Sequence, residues 1–151
     1  HNPETHLIPI LAEKFKKNKK VYIYGKNFKT LDKTCIRDYI HIADTVKAFD
    51  KGIKYLIKNN RSEIINLGTK QGFSTLSIFR SFQKFYKYKF DEPFFKDRRK
   101  GDVDKLICDN KKSYKILGWK PKYSIISKII RDEKNWLNYI TNKKILRKTI
   151  Y

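Results

Sequence analysis

Arginine is scarce in this chain, and its placement is informative. It occurs only at Arg37, Arg61, Arg80, Arg98, Arg99, Arg131 and Arg147, against a background of lysine. Two of these positions lie in short mixed-charge strings, Arg37-Asp38-Tyr39-Ile40-His41 and Arg98-Arg99-Lys100-Gly101-Asp102. A guanidinium grips phosphate oxygens in pairs through a planar fork, which an ammonium cannot imitate. The chemistry these strings suggest is capture of a phosphorylated ligand. The alternative is a set of surface ion pairs, Arg37 with Asp38 or Asp44 and Arg99 with Asp102. On composition alone the two readings are balanced.

Other chemistries find less support. The glycines are Gly25, Gly52, Gly68, Gly72, Gly101 and Gly118, and none falls into GxGxxG, GxxGxxG or a Walker loop. Such trios let backbone amides approach a pyrophosphate at a helix start. A tyrosine four residues before a lysine can act as an acid-base pair, with the lysine lowering the phenol's pKa. Tyr22/Lys26 and Tyr139/Lys143 have that spacing, but chance matches are expected among 10 tyrosines and so many lysines. The first pair straddles Gly25 and the second lies in the terminal tail, so both read as accidental and no catalytic residue is assigned. Cys35 and Cys108 have no metal-ligand spacing, and His1, His6 and His41 do not cluster with them. No metal is expected. His41 reads as a satisfied structural histidine within an apolar strand pattern.

The formal charge is +21 over 151 residues. Such a field attracts polyanions, but runs like Lys14 to Lys20 fall where an exposed helix end would fall anyway. A solvated basic surface is therefore favoured over a nucleic-acid site. Aromatic content of 15% argues against disorder. No apolar run reaches the roughly 20 residues that span a bilayer. There is no export signal and no initiator methionine, which points to a cytoplasmic protein and to a fragment.

The elements that must position these residues follow from pattern. Residues 6–17 predict a helix with Leu7, Ile8, Leu11 and Phe15 on one face. Val21 to Tyr24 predicts a strand stopped by Gly25, and Cys35 to Ile42 a second strand. Asp44 is expected to cap a helix to about Lys58, with Val46, Phe49, Ile53, Leu56 and Ile57 inward. Glu63 to Leu67 reads as another strand, and Ser74 as the cap of a helix over Leu76 to Phe85. Residues 88–108 are irregular with short extended pieces. Asp109 opens a short helix ending at Leu117, with Gly118 as its left-handed cap. A last helix, Ser127 to Tyr139, carries Ile129, Ile130, Glu133, Trp136 and Leu137. The division is residues 1–140 as the ligand-binding region and residues 141–151 as a frayed basic tail. Alternating strands and helices imply an α/β chain, with too few strands for a self-sufficient sheet. It is expected to contribute edge strands to a sheet centred elsewhere.

The strings His1-Asn2-Pro3-Glu4-Thr5-His6-Leu7-Ile8-Pro9, Val21-Tyr22-Ile23-Tyr24-Gly25 and Thr34-Cys35-Ile36-Arg37-Asp38-Tyr39-Ile40-His41 closely resemble UDP-glucose 4-epimerases. Asn66-Leu67-Gly68, Gly72-Phe73-Ser74, Arg98 to Asp102 and Leu117-Gly118-Trp119-Lys120-Pro121 continue the match in order, to about residue 139. The resemblance implies an extended short-chain dehydrogenase. The chain would hold late Rossmann-like edge strands and the small C-terminal substrate-binding subdomain. The NAD-binding half, the Tyr-xxx-Lys pair and the main dimer helices would precede residue 1. Such enzymes interconvert UDP-galactose and UDP-glucose by transient oxidation at sugar carbon 4 with NAD, and the whole protein would be a homodimer.

By that resemblance, His6 and Leu7 contact the nucleotide-sugar and Tyr22, Ile23 and Tyr24 border the uracil. Arg37 and Arg99 hold the pyrophosphate, and Asp102 accepts from the ribose hydroxyls. Leu106 stands where some members place a tyrosine beside the hexose 2-substituent. Its smaller side chain implies tolerance of UDP-N-acetylhexosamines. The alternatives are a sister nucleotide-sugar enzyme (a 4,6-dehydratase, or a UDP-glucuronate decarboxylase or epimerase), a non-enzymatic nucleic-acid module and a functionless gene remnant. The isolated chain is expected to show no turnover.

Overall fold

Leu7, Leu11 and Phe15 recur at the spacing of one helix face, and α1 (Leu7–Lys16) forms there, burying Leu11, Ala12 and Phe15. Pro9 falls in its first turn, where a backbone donor has no partner within the helix. This computed structural model describes residues 4–149; His1, Asn2 and Pro3 of the opening string, and Ile150 and Tyr151, lie outside the described residues. Against α1 pack β1 (Tyr22–Tyr24), α3 (Thr75–Gln83) and the start of α5 (Ile126–Thr149). Their buried side chains are Val21, Ile23, Ile78, Phe79, Phe82, Ile126 and Ile130. The Phe15 ring meets Phe79 edge-on at 5.3 Å and stacks on Tyr88 at 4.0 Å. Each side chain of this kind contributes about 1.5–3 kcal/mol when fully buried. α3 begins where predicted, with the Ser74 hydroxyl accepting from Ser77 N.

The strands form two small sheets. β1 pairs in parallel with β4 (Phe94–Lys96). β2 (Ile36–Arg37) lies between β3 (Phe73–Ser74), antiparallel to it, and β5 (Lys105–Leu106), parallel to it. α2 (Ile42–Asn59) packs on α4 (Lys111–Leu117), which Gly118 ends at φ 56° in the expected left-handed cap. The result is the expected α/β architecture with short strands.

Several expectations need correction. Of the strand predicted from Cys35 to Ile42, only Ile36 and Arg37 pair. His41 caps α2 instead: its Nδ1 accepts from Ala43 N at 3.0 Å, and Nε2 meets Asp132 Oδ2 at 3.0 Å. It is a satisfied structural histidine, as predicted, but at a helix start. Asp44 is not the cap. It is buried in the first turn and accepts from Lys122 N (2.9 Å), Tyr123 N (2.7 Å) and Ser124 Oγ (2.7 Å). Trp119 Nε1 donates to the Asp44 carbonyl at 2.9 Å, tying the same crossing together.

The predicted strand Glu63 to Leu67 pairs with no described strand, although its side chains still alternate in exposure. Val46, Phe49, Ile53, Leu56 and Ile57, expected to face inward, are exposed, Ile57 to 78%. α2 turns its buried positions, Asp44 and Ala48, towards α4 and the 119–124 segment, so its apolar face has no cover among the described residues. An apolar trough of about 340 Å³ runs between that face and Ile65 and Leu67. α5 continues to Thr149, well past the predicted end at Tyr139.

Candidate functional site

A cleft of about 360 Å³ opens between α1, β1, β2 and the turn at residues 99–102. α1 supplies Leu7, Ile10 and Lys14, which share one face of the helix by their spacing. β1 supplies Tyr22, Ile23 and Tyr24, β2 supplies Arg37, and the turn supplies Arg99 and Asp102. Seven predicted residues, from strings far apart in sequence, therefore meet around one cavity. Leu106 borders an adjoining hollow of about 430 Å³, which also includes Arg37. His6 does not line the cleft; it is the N-cap residue of α1, with Nδ1 2.8 Å from Glu4 Oε1.

Arg37 is held on three sides. Its Nη1 donates to Ile36 O at 2.8 Å and Val103 O at 2.9 Å, and its Nη2 donates to Asp102 Oδ1 at 3.1 Å. The ion-pair partner is thus neither Asp38 nor Asp44. Asp38 instead accepts from Thr69 N (3.0 Å), Lys70 N (3.1 Å) and Cys108 N (3.3 Å), fastening the unpaired 63–67 segment's end to β5's exit. Arg99 does not pair with Asp102 either: its guanidinium lies 4.0 Å over the Tyr24 ring. Arg98 has a different task. It stacks on Phe28 at 4.1 Å and donates to Asp102 O at 2.6 Å, which braces the turn. Of the two adjacent arginines, one supports the loop and the other faces the cavity.

Six lining residues were not assigned to the site from sequence: Thr5, Ile10, Lys14, Cys35, Tyr39 and Thr75. Lys14 was hidden in a lysine run, although its spacing from Leu7 and Ile10 placed it on their face. Tyr39 lay within the Arg37 string, and burial pushes its hydroxyl well above the ordinary phenol range. It stays a neutral phenol at the cleft wall. Thr75 accepts or donates at 3.2 Å to Cys35 Sγ and is placed by the β2–β3 pairing.

Gly72, just before β3, is closely packed: a Cβ added there would meet Ile107 Cδ1 at 2.3 Å and Ile36 Cγ2 at 2.5 Å. The pairs Tyr22/Lys26 and Tyr139/Lys143 build no site around the cleft: Lys26 borders a different hollow, and Tyr139 and Lys143 lie on α5. Cys35 and Cys108 are free thiols, and burial raises the Cys108 pKa. No His/Cys/Asp/Glu group that could hold a metal occurs among the described residues. No described helix is long and apolar enough to cross a membrane.

The family model for GDP-mannose 4,6 dehydratase matches residues 1–132. The chain belongs to this family. The UDP-glucose 4-epimerase of Lactobacillus helveticus is 38% identical over 138 residues, which are 90% of this chain and 41% of that protein. The crystal structure of the Stenotrophomonas maltophila UDP-glucose-4-epimerase, with bound NAD and formylated UDP-arabinopyranose, superposes at TM-score 0.86 and 28% identity. The match covers 95% of this chain and 42% of that one. A further UDP-glucose 4-epimerase crystal structure matches at TM-score 0.84 and 34% identity, over 94% of this chain and 43% of that one. This member of the dehydratase family therefore spans about two fifths of the length of the relatives it matches.

Proposed function

We propose that this chain is the UDP-sugar-gripping part of a UDP-glucose 4-epimerase. That enzyme interconverts UDP-galactose and UDP-glucose by NAD-dependent transient oxidation at sugar carbon 4. The observation that carries this reading is the meeting of Arg37 and Arg99 at one cleft with Tyr22, Ile23, Tyr24, Leu7 and Asp102. Two guanidinium groups suit a diphosphate. A firm hold on that bridge leaves the hexose free to present either face. The aromatic wall of β1 suits a flat base, and the hollow beside Leu106 suits the sugar.

Leu106 is 63% exposed on β5 and leaves open space next to Arg37, which favours acceptance of UDP-N-acetylhexosamines as well. His6 is assigned to the mouth of the site through Leu7, its neighbour. NAD would be held by a dinucleotide-binding half that packs on the exposed face of α2 and on residues 63–67. The whole enzyme would be a cytoplasmic homodimer.

Calorimetric titration of the chain with UDP tests the grip. Binding in the micromolar to millimolar range is expected, with a loss of at least about tenfold in Arg37→Ala and in Arg99→Ala. Absence of UDP binding, or binding indifferent to both changes, overturns the reading. Product analysis on the enzyme assembled with its dinucleotide-binding half separates the sister activities. Direct formation of UDP-glucose from UDP-galactose identifies the 4-epimerase, whereas a 4-keto-6-deoxy sugar identifies a dehydratase.

A further inference from the structure

The cleft holds a third cation. Lys14 lies on the same face of α1 as Leu7 and Ile10 and borders the same cavity as Arg37 and Arg99. Among the described residues no carboxylate forms an ion pair with it; its neighbours Glu13 and Lys17 pair with each other. Asp102, the one acidic residue lining the cleft, is engaged by Arg37 at 3.1 Å. Lys14 therefore brings an uncommitted donor to this cavity.

Its position along the cleft is set by the chain. Residues 17–21 join the last turn of α1 to β1, so Lys14, in the C-terminal half of α1, lies towards the start of β1. Arg99 lies over Tyr24, at the end of that strand away from residues 17–21, and Arg37, on the other small sheet, pairs with Asp102 in the turn that follows Arg99. The sugar hollow beside Leu106 opens from the Arg37 side. A ligand whose diphosphate rests on the arginines and whose sugar points to Leu106 must extend its remaining end, the base, towards Lys14.

From this arrangement, and resting on the UDP-sugar reading above, we infer that Lys14 reads the base of the nucleotide, donating from Nζ to the O4 carbonyl of uracil. An ammonium has three donors and no acceptor. It favours a carbonyl oxygen and rejects an amino group in the same place, because the two donors would face each other unpaired. Lys14 is in this sense a specificity-determining residue: it selects uracil over cytosine, which carries an amino group where uracil carries O4.

Titration of the full chain and of Lys14→Met and Lys14→Arg with UDP, CDP and inorganic pyrophosphate tests this. The unmodified chain is expected to prefer UDP over CDP by about tenfold, the scale of one charged hydrogen bond. Lys14→Met should abolish that preference and leave pyrophosphate binding unchanged, while Lys14→Arg should retain it. A UDP to CDP ratio untouched by Lys14→Met overturns the inference and leaves the UDP-sugar reading intact. So does an equal loss for UDP and pyrophosphate, which assigns Lys14 to the phosphates. If the unmodified chain binds no UDP, the UDP-sugar reading itself fails and this inference falls with it.

Discussion

Arg37 and Asp102 stand 65 residues apart in sequence and 3.1 Å apart in space, both less than one third exposed. Together with two backbone carbonyls, Asp102 fixes the Arg37 guanidinium before any ligand arrives. Pre-orientation of this kind lowers the ordering cost of binding. Arg99, by contrast, is placed by stacking on the Tyr24 ring.

Asp102→Ala is expected to weaken binding of inorganic pyrophosphate about tenfold, since a charged hydrogen bond contributes about 1.5–3 kcal/mol. Pyrophosphate has no ribose, so the loss reports on Arg37 positioning. Unchanged pyrophosphate affinity in calorimetry would show that Asp102 does not organise Arg37.

Asp44 ties α2 to residues 122–124, and its removal should be among the costliest changes. Burial by itself raises a carboxylate pKa, but the donors from Lys122, Ser124 and Tyr123 outweigh it and hold Asp44 below 3.8. A depressed folded value means its stabilisation is complete at neutral pH and is lost as pH falls from about 4 through that lower value. Asp44→Ala should cost about 3 kcal/mol at pH 7, and progressively less in urea melts at lower pH.

Glu133 behaves in the opposite sense. Burial first, and then the Glu4 charge, push its carboxyl above 4.5. The folded chain binds this proton more tightly than the unfolded chain, so the unfavourable charge accrues as pH rises through the raised value. Glu133→Gln should raise the melting temperature slightly at pH 7.5 and leave it unchanged near pH 4. Equal melting curves at both pH values would contradict this assignment.

Two glycines make a paired stability test. A Cβ at Gly68 would lie 2.3 Å from Cys108 Cβ and 2.8 Å from Asp38 Oδ2, whereas one at Gly52 in α2 meets nothing within 4 Å. Gly68→Ala should destabilise by about 1–3 kcal/mol. Gly52→Ala should stabilise by about 1 kcal/mol through helix propensity. Denaturant melts of both variants measure the contrast.

Sequence alone determined what depends on neighbours a few residues apart. The apolar faces of α1 and α3, the Ser74 cap and the left-handed stop at Gly118 are all local features, set by side-chain spacing and backbone freedom. The two arginine strings were also legible, because guanidinium chemistry stands out against lysine. Tertiary structure decided the rest. It chose Asp102 over Asp38 and Asp44 as the partner of Arg37, and made His41 rather than Asp44 the cap of α2. It also brought Lys14 to the cleft and left the apolar face of α2 exposed. Each of these outcomes depends on which segments approach across tens of residues, and no local pattern encodes that distance.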